Sequence, residues 1–158
     1  MPRNLVVDST GIVWLSTAEG LAELRPDGER ALYTEEDAGP LSRDLRAVAL
    51  DVDDILWMAT ARGLARLRPD GRWTRFTTES TGGGLRSMDM RHLSVGPLGD
   101  LWMATRSGIS RRQPEEAEWS YIDVPGARHV LADGTGTLWV ATGAGLYRIP
   151  VDRLAKPE

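Results

Sequence analysis

The sequence contains no cysteine, only one phenylalanine and only two histidines. The absence of cysteine excludes a disulfide bond and a thiolate metal site, but it leaves the redox compartment open, because a cysteine-free protein is stable in either kind of compartment. No segment approaches the run of roughly 18 apolar residues that a membrane-spanning helix needs. Residues 1–7 also lack the long apolar stretch of an export signal. As it stands, the chain is therefore expected to be cytoplasmic.

The chain also lacks a strong charge of either sign. Its 158 residues are 41% hydrophobic and 27% charged, and the formal net charge is −4. This balance is typical of a soluble domain with a real core and argues against disorder. A weakly acidic protein has no general attraction for nucleic acid or for an anionic membrane surface. We therefore predict no nucleic-acid partner and no membrane insertion.

What the sequence does contain is a tetrapeptide that recurs four times, each copy beginning with Trp and ending with Thr. The copies begin at Trp14, Trp57, Trp102 and Trp139 and end at Thr17, Thr60, Thr105 and Thr142. They recur about every 40 residues, which is the length of one four-stranded propeller blade and too irregular for a short-period solenoid. The pattern predicts an all-β array of four propeller-type blades, with these Trp and Thr residues in the structural core.

Each repeat also predicts the order of its strands. Nine and seven residues before each Trp, apolar residues alternate with a period of two, which indicates an innermost strand. The second strand carries the Trp and is apolar on both faces, so it must be buried between neighbouring blades. A third strand follows a Gly, and Pro-Asp-Gly turns lead to outer strands near 32–33 and 72–77, with another at 119–122. Residues 41–50 alone also fit a helical stripe, and the repeat register favours a strand from about Arg46.

The turn before each Trp has its own signature. An Asp stands six residues before three of the tryptophans, at positions 8, 51 and 133, and Gly96 takes this place in the third repeat. A Gly stands three residues before the Trp in every repeat except the second, which has Asp54. A short Asp side chain can accept hydrogen bonds from turn amides, and Gly accepts the positive φ that ends a hairpin turn.

The fourth repeat is predicted to lack its outer strand, because residues 153–158 with Pro157 make a poor strand. The sequence predicts one repeat domain over residues 1–158, with blades at about 3–45, 46–90, 91–127 and 128–158. Four blades could be part of a larger ring, could pair with a second arc, or could close into a strained ring of their own. An open arc would expose two apolar blade faces and would need something to cover them.

The phrase Asp-x-x-Gly-x-Leu-Trp-(Val/Met)-Ala-Thr-x-x-Gly-Leu, clearest in 133–146 and 51–64, resembles the two-component-regulator propeller repeat. The chain also resembles, more weakly, the streptogramin-lyase-like propellers, which carry a similar phrase. The first family implies a ligand-sensing propeller in the extracytoplasmic part of bacterial sensor kinases or regulators. This chain has only four repeats and contains no kinase, receiver or DNA-binding segment, so signal output needs another protein part.

One further repeated column suggests a site. Eleven residues before each Trp stands an arginine, and the next position holds Asn, Ala or His; the candidates for a ligand site are Arg3, Asn4, Arg46, Arg91, His92, Arg128 and His129. Innermost strands surround the propeller axis, so these residues would line one mouth of the channel, where a cationic ring could hold a small anionic or carbohydrate ligand. The alternative is that each arginine pairs with an acidic or carbonyl group nearby, such as Asp44 or Asp89.

Other chemistry is less well supported by the sequence. His92 and His129 could be general bases or metal ligands, but equivalent blade positions favour a shared packing role. Asp51, Asp53 and Asp54 could bind Ca²⁺, although an acidic solvated turn explains them more simply. Residues 106–112 contain three arginines, which we expect on a solvated strand. We therefore predict no metal, no cofactor and no catalytic residue.

Three functions remain to be compared. The first is a non-enzymatic ligand-binding or sensor-type module. The second is a structural or oligomerisation arc that completes a ring with itself or with another chain. The third is a metal-dependent enzyme similar to the streptogramin lyases, which would use His92 or His129.

Overall fold

The computed structural model describes residues 3–36, 44–114 and 118–151. The first two sheets contain β1 (Asn4–Val7), β2 (Val13–Ser16), β3 (Leu21–Leu24), β4 (Arg30–Tyr33), β5 (Leu45–Leu50), β6 (Leu56–Thr60), β7 (Gly63–Leu67) and β8 (Trp73–Phe76). The last two contain β9 (Met90–Val95), β10 (Leu101–Thr105), β11 (Gly108–Arg112), β12 (Trp119–Ile122), β13 (Ala127–Ala132), β14 (Thr137–Thr142) and β15 (Gly145–Pro150).

Each sheet is an antiparallel meander in which consecutive strands are neighbours. The first three sheets have four strands and the fourth, as far as residue 151, has three. This confirms the predicted all-β fold of propeller-type blades, and the described part of the last blade has the three strands that were predicted for it. The predicted strand at about Arg46 is β5, whereas residues 41–43 and 153–158 lie outside the described residues. No helix in the described segments is long and apolar enough to cross a membrane.

The turn before each Trp holds the indole as well as the backbone. Asp133 Oδ1 accepts hydrogen bonds from the amides of Thr135 and Thr137, at 2.8 and 3.0 Å. Its Oδ2 accepts one from Trp139 Nε1 at 2.8 Å. Because these bonds, first that of Trp139, favour the charged form, they hold the pKa of Asp133 well below its usual range. Asp8 and Asp51 make the same contacts in their own blades.

The third blade departs from this pattern. Gly96 stands in place of the aspartate, and within the described residues Trp102 Nε1 has no hydrogen-bond partner. A carboxylate is present nearby at Asp100, which is 4% exposed and pairs with Arg111 at 2.5 Å. The third blade therefore uses its acidic group to fix an arginine over the indole, not to bind the indole N–H.

Three hydrophobic clusters join consecutive sheets. Trp57 and Trp102, in the two middle blades, are 3% and 1% exposed. Trp14 and Trp139 are half-buried, although the repeat predicted the same core position for all four. Thr60 and Thr105 are buried, and Thr17 and Thr142 are half-buried. In every copy the Thr hydroxyl donates to the carbonyl of a Gly three residues on.

The two end blades each leave one face uncovered. On the first blade Leu5, Val7 and Leu32 are 57%, 55% and 46% exposed. On the fourth blade Leu131 and Leu146 are 58% and 66% exposed. The second-blade equivalents of Leu5, Leu131 and Leu146 are packed against a neighbouring blade, so the described residues form an open arc. These equivalents are Val48, Ala49 and Leu64. The closed four-blade ring is not observed.

Candidate functional site

The repeated arginines occupy a special backbone position. The pairing of β5 with β6 shifts register between Leu45 and Ala47, so Arg46 is the extra residue of a β-bulge. The same shift makes Arg91 and Arg128 the bulged residues of β9 and β13. A bulge re-aims its side chain, and here it directs Arg46 and Arg91 toward the blade that follows.

The next blade supplies the partners of three of these arginines. Arg3 forms an ion pair with Asp44, which lies at the start of the second blade. Arg46 forms an ion pair with Asp89 and donates to the carbonyl of Met90 at 2.9 Å. Arg91 Nη1 donates to the carbonyl of Ala127 at 3.4 Å. These contacts match the pairing alternative that the sequence left open, and the ligand-binding role stays a prediction.

Arg128 differs from the other three. It is exposed, and in the described part of the chain its side chain makes no hydrogen bond or ion pair. Since the other arginines are held by the following blade, Arg128 is the member of the column whose blade neighbour is missing. Among the described residues, its guanidinium therefore has no acidic or carbonyl partner.

In two of the repeats, the side chain after the arginine also reaches a backbone amide of the next blade. Asn4 Oδ1 accepts a hydrogen bond from the amide of Val48 at 2.8 Å. His92 Nδ1, in the third blade, faces the amide of Val130 in the fourth blade at 3.5 Å. Val130 is the equivalent of Val48. Asn4 and His92 therefore serve the same interblade function, which explains why different residue types occupy the column. Ala47 cannot make this bond.

His129 is the fourth member of that column and is exposed. Its ring lies against that of His92, with the centroids 4.7 Å apart. Burial, and secondly the nearby His129, lower the pKa of His92, so His92 is neutral at neutral pH. The structure thus brings His92, His129 and Arg128 to one end of the arc, and it places Arg3 and Arg46 in ion pairs farther along the rim.

The acidic turn at residues 51–54 and the arginine-rich segment at residues 106–112 both contain side chains that make structural contacts. Asp51 binds two turn amides and Trp57, and the described residues contain no cluster of three side chains suited to a metal ion. Arg111 is not on a solvated strand, as the sequence suggested, since its side chain is 15% exposed and stacks over Trp102 at 4.9 Å. Arg112 stacks over Trp57 at 5.2 Å.

Sequence reasoning missed a second repeated position, nine residues after each Trp. It holds an arginine in three blades and a glutamate in the first: Glu23, Arg66, Arg111 and Arg148. Each lies directly opposite its Trp on the third strand of the blade. The fixed spacing from the Trp was visible in the sequence, and the change from arginine to Glu23 in the first blade was the signal that could have been used.

The first two sheets enclose a groove of about 410 Å³ beside Glu23. Trp14, Tyr33 and Trp73 form its aromatic wall, with Trp14 and Tyr33 centroids 6.3 Å apart and Tyr33 and Trp73 centroids 6.0 Å apart. Its size is at the small end of the range of ligand pockets. None of the residues selected from the sequence as ligand-site candidates lines it.

The sequence matches no protein-family model and no curated protein. Among solved structures, the fold is similar to the extracellular domain of a hybrid two component system from B. thetaiotaomicron, with a TM-score of 0.80 and 21% identity over 96% of this chain. A second extracellular domain from that organism, described as part of a one component system, has a TM-score of 0.80 and 16% identity over 98% of this chain. This chain spans only 22% and 23% of those two chains.

An enzyme shares the fold at lower similarity. Virginiamycin B lyase from Staphylococcus aureus has a TM-score of 0.69 and 16% identity over 96% of this chain, which covers 56% of the lyase chain. The comparisons confirm the propeller-type fold and both resemblances that the repeat phrase suggested, with the sensor domains more similar than the lyase. At these identities the likeness concerns the fold.

Proposed function

We propose that the chain is a non-enzymatic, ligand-binding sensor segment of a β-propeller that acts outside the cytoplasm. The observation that carries the proposal is the likeness over nearly the whole chain to two extracellular domains of bacterial signalling systems. Those domains are several times longer than this chain, so the segment contributes part of a larger sensing surface.

The rim residues at the end of the arc support a ligand site of anionic specificity. Arg128 is unpaired within the described residues, and His129 beside it is exposed. A guanidinium presents a planar fork of N–H donors that fits a carboxylate in a bidentate manner. A small carboxylate or an acidic sugar is therefore the ligand class that we assign to this rim.

A thermal-shift panel of small carboxylates and acidic sugars, with neutral sugars alongside, tests this proposal. At roughly ten times Kd, a ligand of the folded state is expected to raise Tm by about 3 °C. The rise should disappear in Arg128→Ala and persist in Arg30→Ala, which removes the same charge from an exposed position on the outer strand of the first blade.

An equal response of the wild type and Arg128→Ala would contradict an anion site at this rim. A response to neutral sugars alone would assign a carbohydrate ligand bound without the arginine. Turnover of an added compound, lost in His129→Ala, would support the lyase-like enzyme in place of the sensor.

The uncovered end faces favour a second candidate function, which is assembly with another copy of the chain. The exposed face of the fourth blade carries Leu131, Trp139 and Leu146 in the same columns that pack against a following blade in the middle of the arc. The exposed face of the first blade carries Leu5 and Val7 in the columns that pack against a preceding blade. Each end is thus the complement of the other, and a head-to-tail contact between two copies would bury both.

Light scattering over a range of concentrations tests this second function. We expect the mass to rise above that of one chain, and Leu131→Lys/Leu146→Lys to stay monomeric. Val52→Lys is the matched control, because Val52 is 83% exposed but lies in a turn away from the face. A wild type that remains monomeric at every concentration would contradict self-assembly and would leave further blades of a longer protein as the cover.

A further inference from the structure

Three of the four repeat tryptophans carry an arginine over the indole ring. The guanidinium carbons of Arg66, Arg111 and Arg148 lie 5.5, 4.9 and 5.9 Å from the ring centroids of Trp57, Trp102 and Trp139. These distances fall within the range of a cation–π interaction. In the first blade Glu23 occupies the arginine position, opposite Trp14. No guanidinium lies over Trp14 within the described residues.

In the groove between the second and third blades, arginine side chains fill the space between the aromatic rings. Arg66 lies between Trp57 and Phe76, 5.5 and 5.2 Å from the two ring centroids. Arg112 from the third blade approaches Trp57 to 5.2 Å. Two guanidinium groups of the protein itself thus occupy the aromatic groove.

The groove between the first and second blades has the same aromatic frame without those cations. Trp14, Tyr33 and Trp73 are spaced at 6.3 and 6.0 Å. Their counterparts Trp57, Phe76 and Trp119 are spaced at 5.8 and 6.1 Å. At the two cation positions, however, stand Glu23 and Leu67. The open space of about 410 Å³ lies here.

Glu23 gives this space a negative charge at its wall. It is 2% exposed, and its two oxygens accept one hydrogen bond each, from Arg25 Nε at 2.5 Å and from the Tyr33 hydroxyl at 2.6 Å. The hydrogen bond to Glu23 raises the pKa of Tyr33, so the hydroxyl stays protonated and remains the donor in this bond. Each carboxylate oxygen can accept one more hydrogen bond.

With Glu23 included, the charged residues that line the groove leave an excess of one negative charge. Asp8 and Asp54 line it together with Glu23, and Arg25 and Arg68 supply the positive charges. Neither of these two arginines stacks on Trp14, Tyr33 or Trp73 in the part of the chain that the structure describes. The face of Trp14 is therefore open to a cation from solution.

We propose that this groove binds a small organic cation, a guanidinium or alkylammonium group, which lies over Trp14 and hydrogen-bonds to Glu23. The bound group would occupy the place that Arg66 occupies in the next groove. The aromatic faces attract the charge, and the buried carboxylate at the groove wall provides an ion pair less screened than one on the open surface. This site is separate from the Arg128 rim, and it does not depend on the sensor proposal.

An NMR titration of the tryptophan indole N–H signals tests the site with ethylguanidinium. Ethylurea is the matched ligand control, because it has nearly the same shape and hydrogen-bonding groups but no charge. We expect saturable shifts of the Trp14 and Trp73 signals with ethylguanidinium, with Kd on the order of millimolar. Ethylurea should bind at least about tenfold more weakly. Equal binding of the two compounds, or no shift with ethylguanidinium, would overturn the proposal.

The double variant Glu23→Arg/Tyr33→Phe copies the residues of the next groove, Arg66 and Phe76, into this one. Because the second blade folds with those residues, the variant should remain folded, which its thermal unfolding curve would verify. Binding of ethylguanidinium should be lost, and Glu23→Gln should weaken it by about tenfold or more. Arg148→Gln, at the far end of the arc, should leave it unchanged.

Unchanged binding in the double variant would place the cation elsewhere and overturn the assignment. Should the double variant not fold, the Glu23→Gln result decides, since an affinity equal to that of the wild type would exclude Glu23 as the partner. An arginine inside a peptide is another source of the same chemical group. Acetyl-Gly-Arg-Gly-amide in a parallel titration distinguishes the two sources: binding of ethylguanidinium alone indicates a free metabolite-sized cation, and tighter binding of the peptide indicates an arginine side chain.

Discussion

Replacing Trp57 with alanine is expected to lower the free energy of unfolding by about 3–5 kcal/mol, the range for a large aromatic residue deleted from a core. Trp57 is 3% exposed and belongs to the cluster that joins the second and third blades. Arg66 and Arg112 stack on its ring, and its Nε1 donates to Asp51 at 2.9 Å. Removing the ring therefore opens a cavity between two sheets, takes away the indole on which Arg66 and Arg112 stack, and removes the hydrogen bond to Asp51 Oδ2.

Trp139→Ala is the matched control for that prediction. Trp139 has the same bond to an aspartate, Asp133, and carries Arg148 over its ring, but the face of its blade is uncovered. Because less surface is buried around it, we expect a loss below about 2 kcal/mol. Urea unfolding of both variants supplies the comparison. A loss below about 1 kcal/mol for Trp57→Ala, or equal losses for the two variants, would contradict the packing between blades described above.

The four copies of the repeat explain why so much of the fold could be predicted. A single segment such as residues 41–50 fits both a helix and a strand, because a few apolar residues satisfy either period. Aligning four copies on the Trp removes that ambiguity, because the other copies carry apolar residues with a period of two at the same positions, which indicates a strand. Within one blade all pairings are local, so the register follows directly from the alignment.

The contacts between blades could not be predicted in the same way. Arg46 meets Asp89 and Met90 because the bulge directs its side chain toward the next blade, and periodicity does not report a bulge. Arg111 and Arg112 were expected to be solvated because arginine usually is. A guanidinium can nevertheless be largely buried when it stacks on an aromatic ring and finds a carboxylate, as Arg111 does with Trp102 and Asp100.

The sequence predicted the candidate site only as a set of residues at the same distance before each Trp. In the structure these residues have different roles. The sequence treats Arg3, Arg46, Arg91 and Arg128 as equivalent because their distance to the Trp is the same. In the structure their roles depend on whether another blade follows, so within the described segments Arg128 is the one of the four without a partner. The groove at Glu23 was missed because the column nine residues after each Trp was not compared. Glu23 marks the groove because it is the one member of that column that is not an arginine.

Replacing Gly63 with alanine is expected to cost about 2–6 kcal/mol of unfolding free energy, because two penalties of about 1–3 kcal/mol each add. Gly63 has a φ of +114°, a conformation that costs a residue with a side chain about 1–3 kcal/mol. A Cβ at this position would also lie 2.5 Å from the carbonyl oxygen of Phe76. That oxygen belongs to the outer strand β8, so it cannot move aside without disturbing the pairing of β7 with β8, and overpacking of this kind adds about 1–3 kcal/mol.

Gly145 separates the two penalties. It is the equivalent residue of the fourth blade and has a similar φ of +142°, but among the described residues no atom lies within 4 Å of a Cβ built there. Gly145→Ala should therefore cost only the backbone strain, about 1–3 kcal/mol. The difference between the two variants in urea unfolding measures how closely the outer strand packs on the glycine of a complete blade. Equal losses would mean that this outer strand does not constrain the glycine, and that backbone strain alone accounts for its place in the repeat.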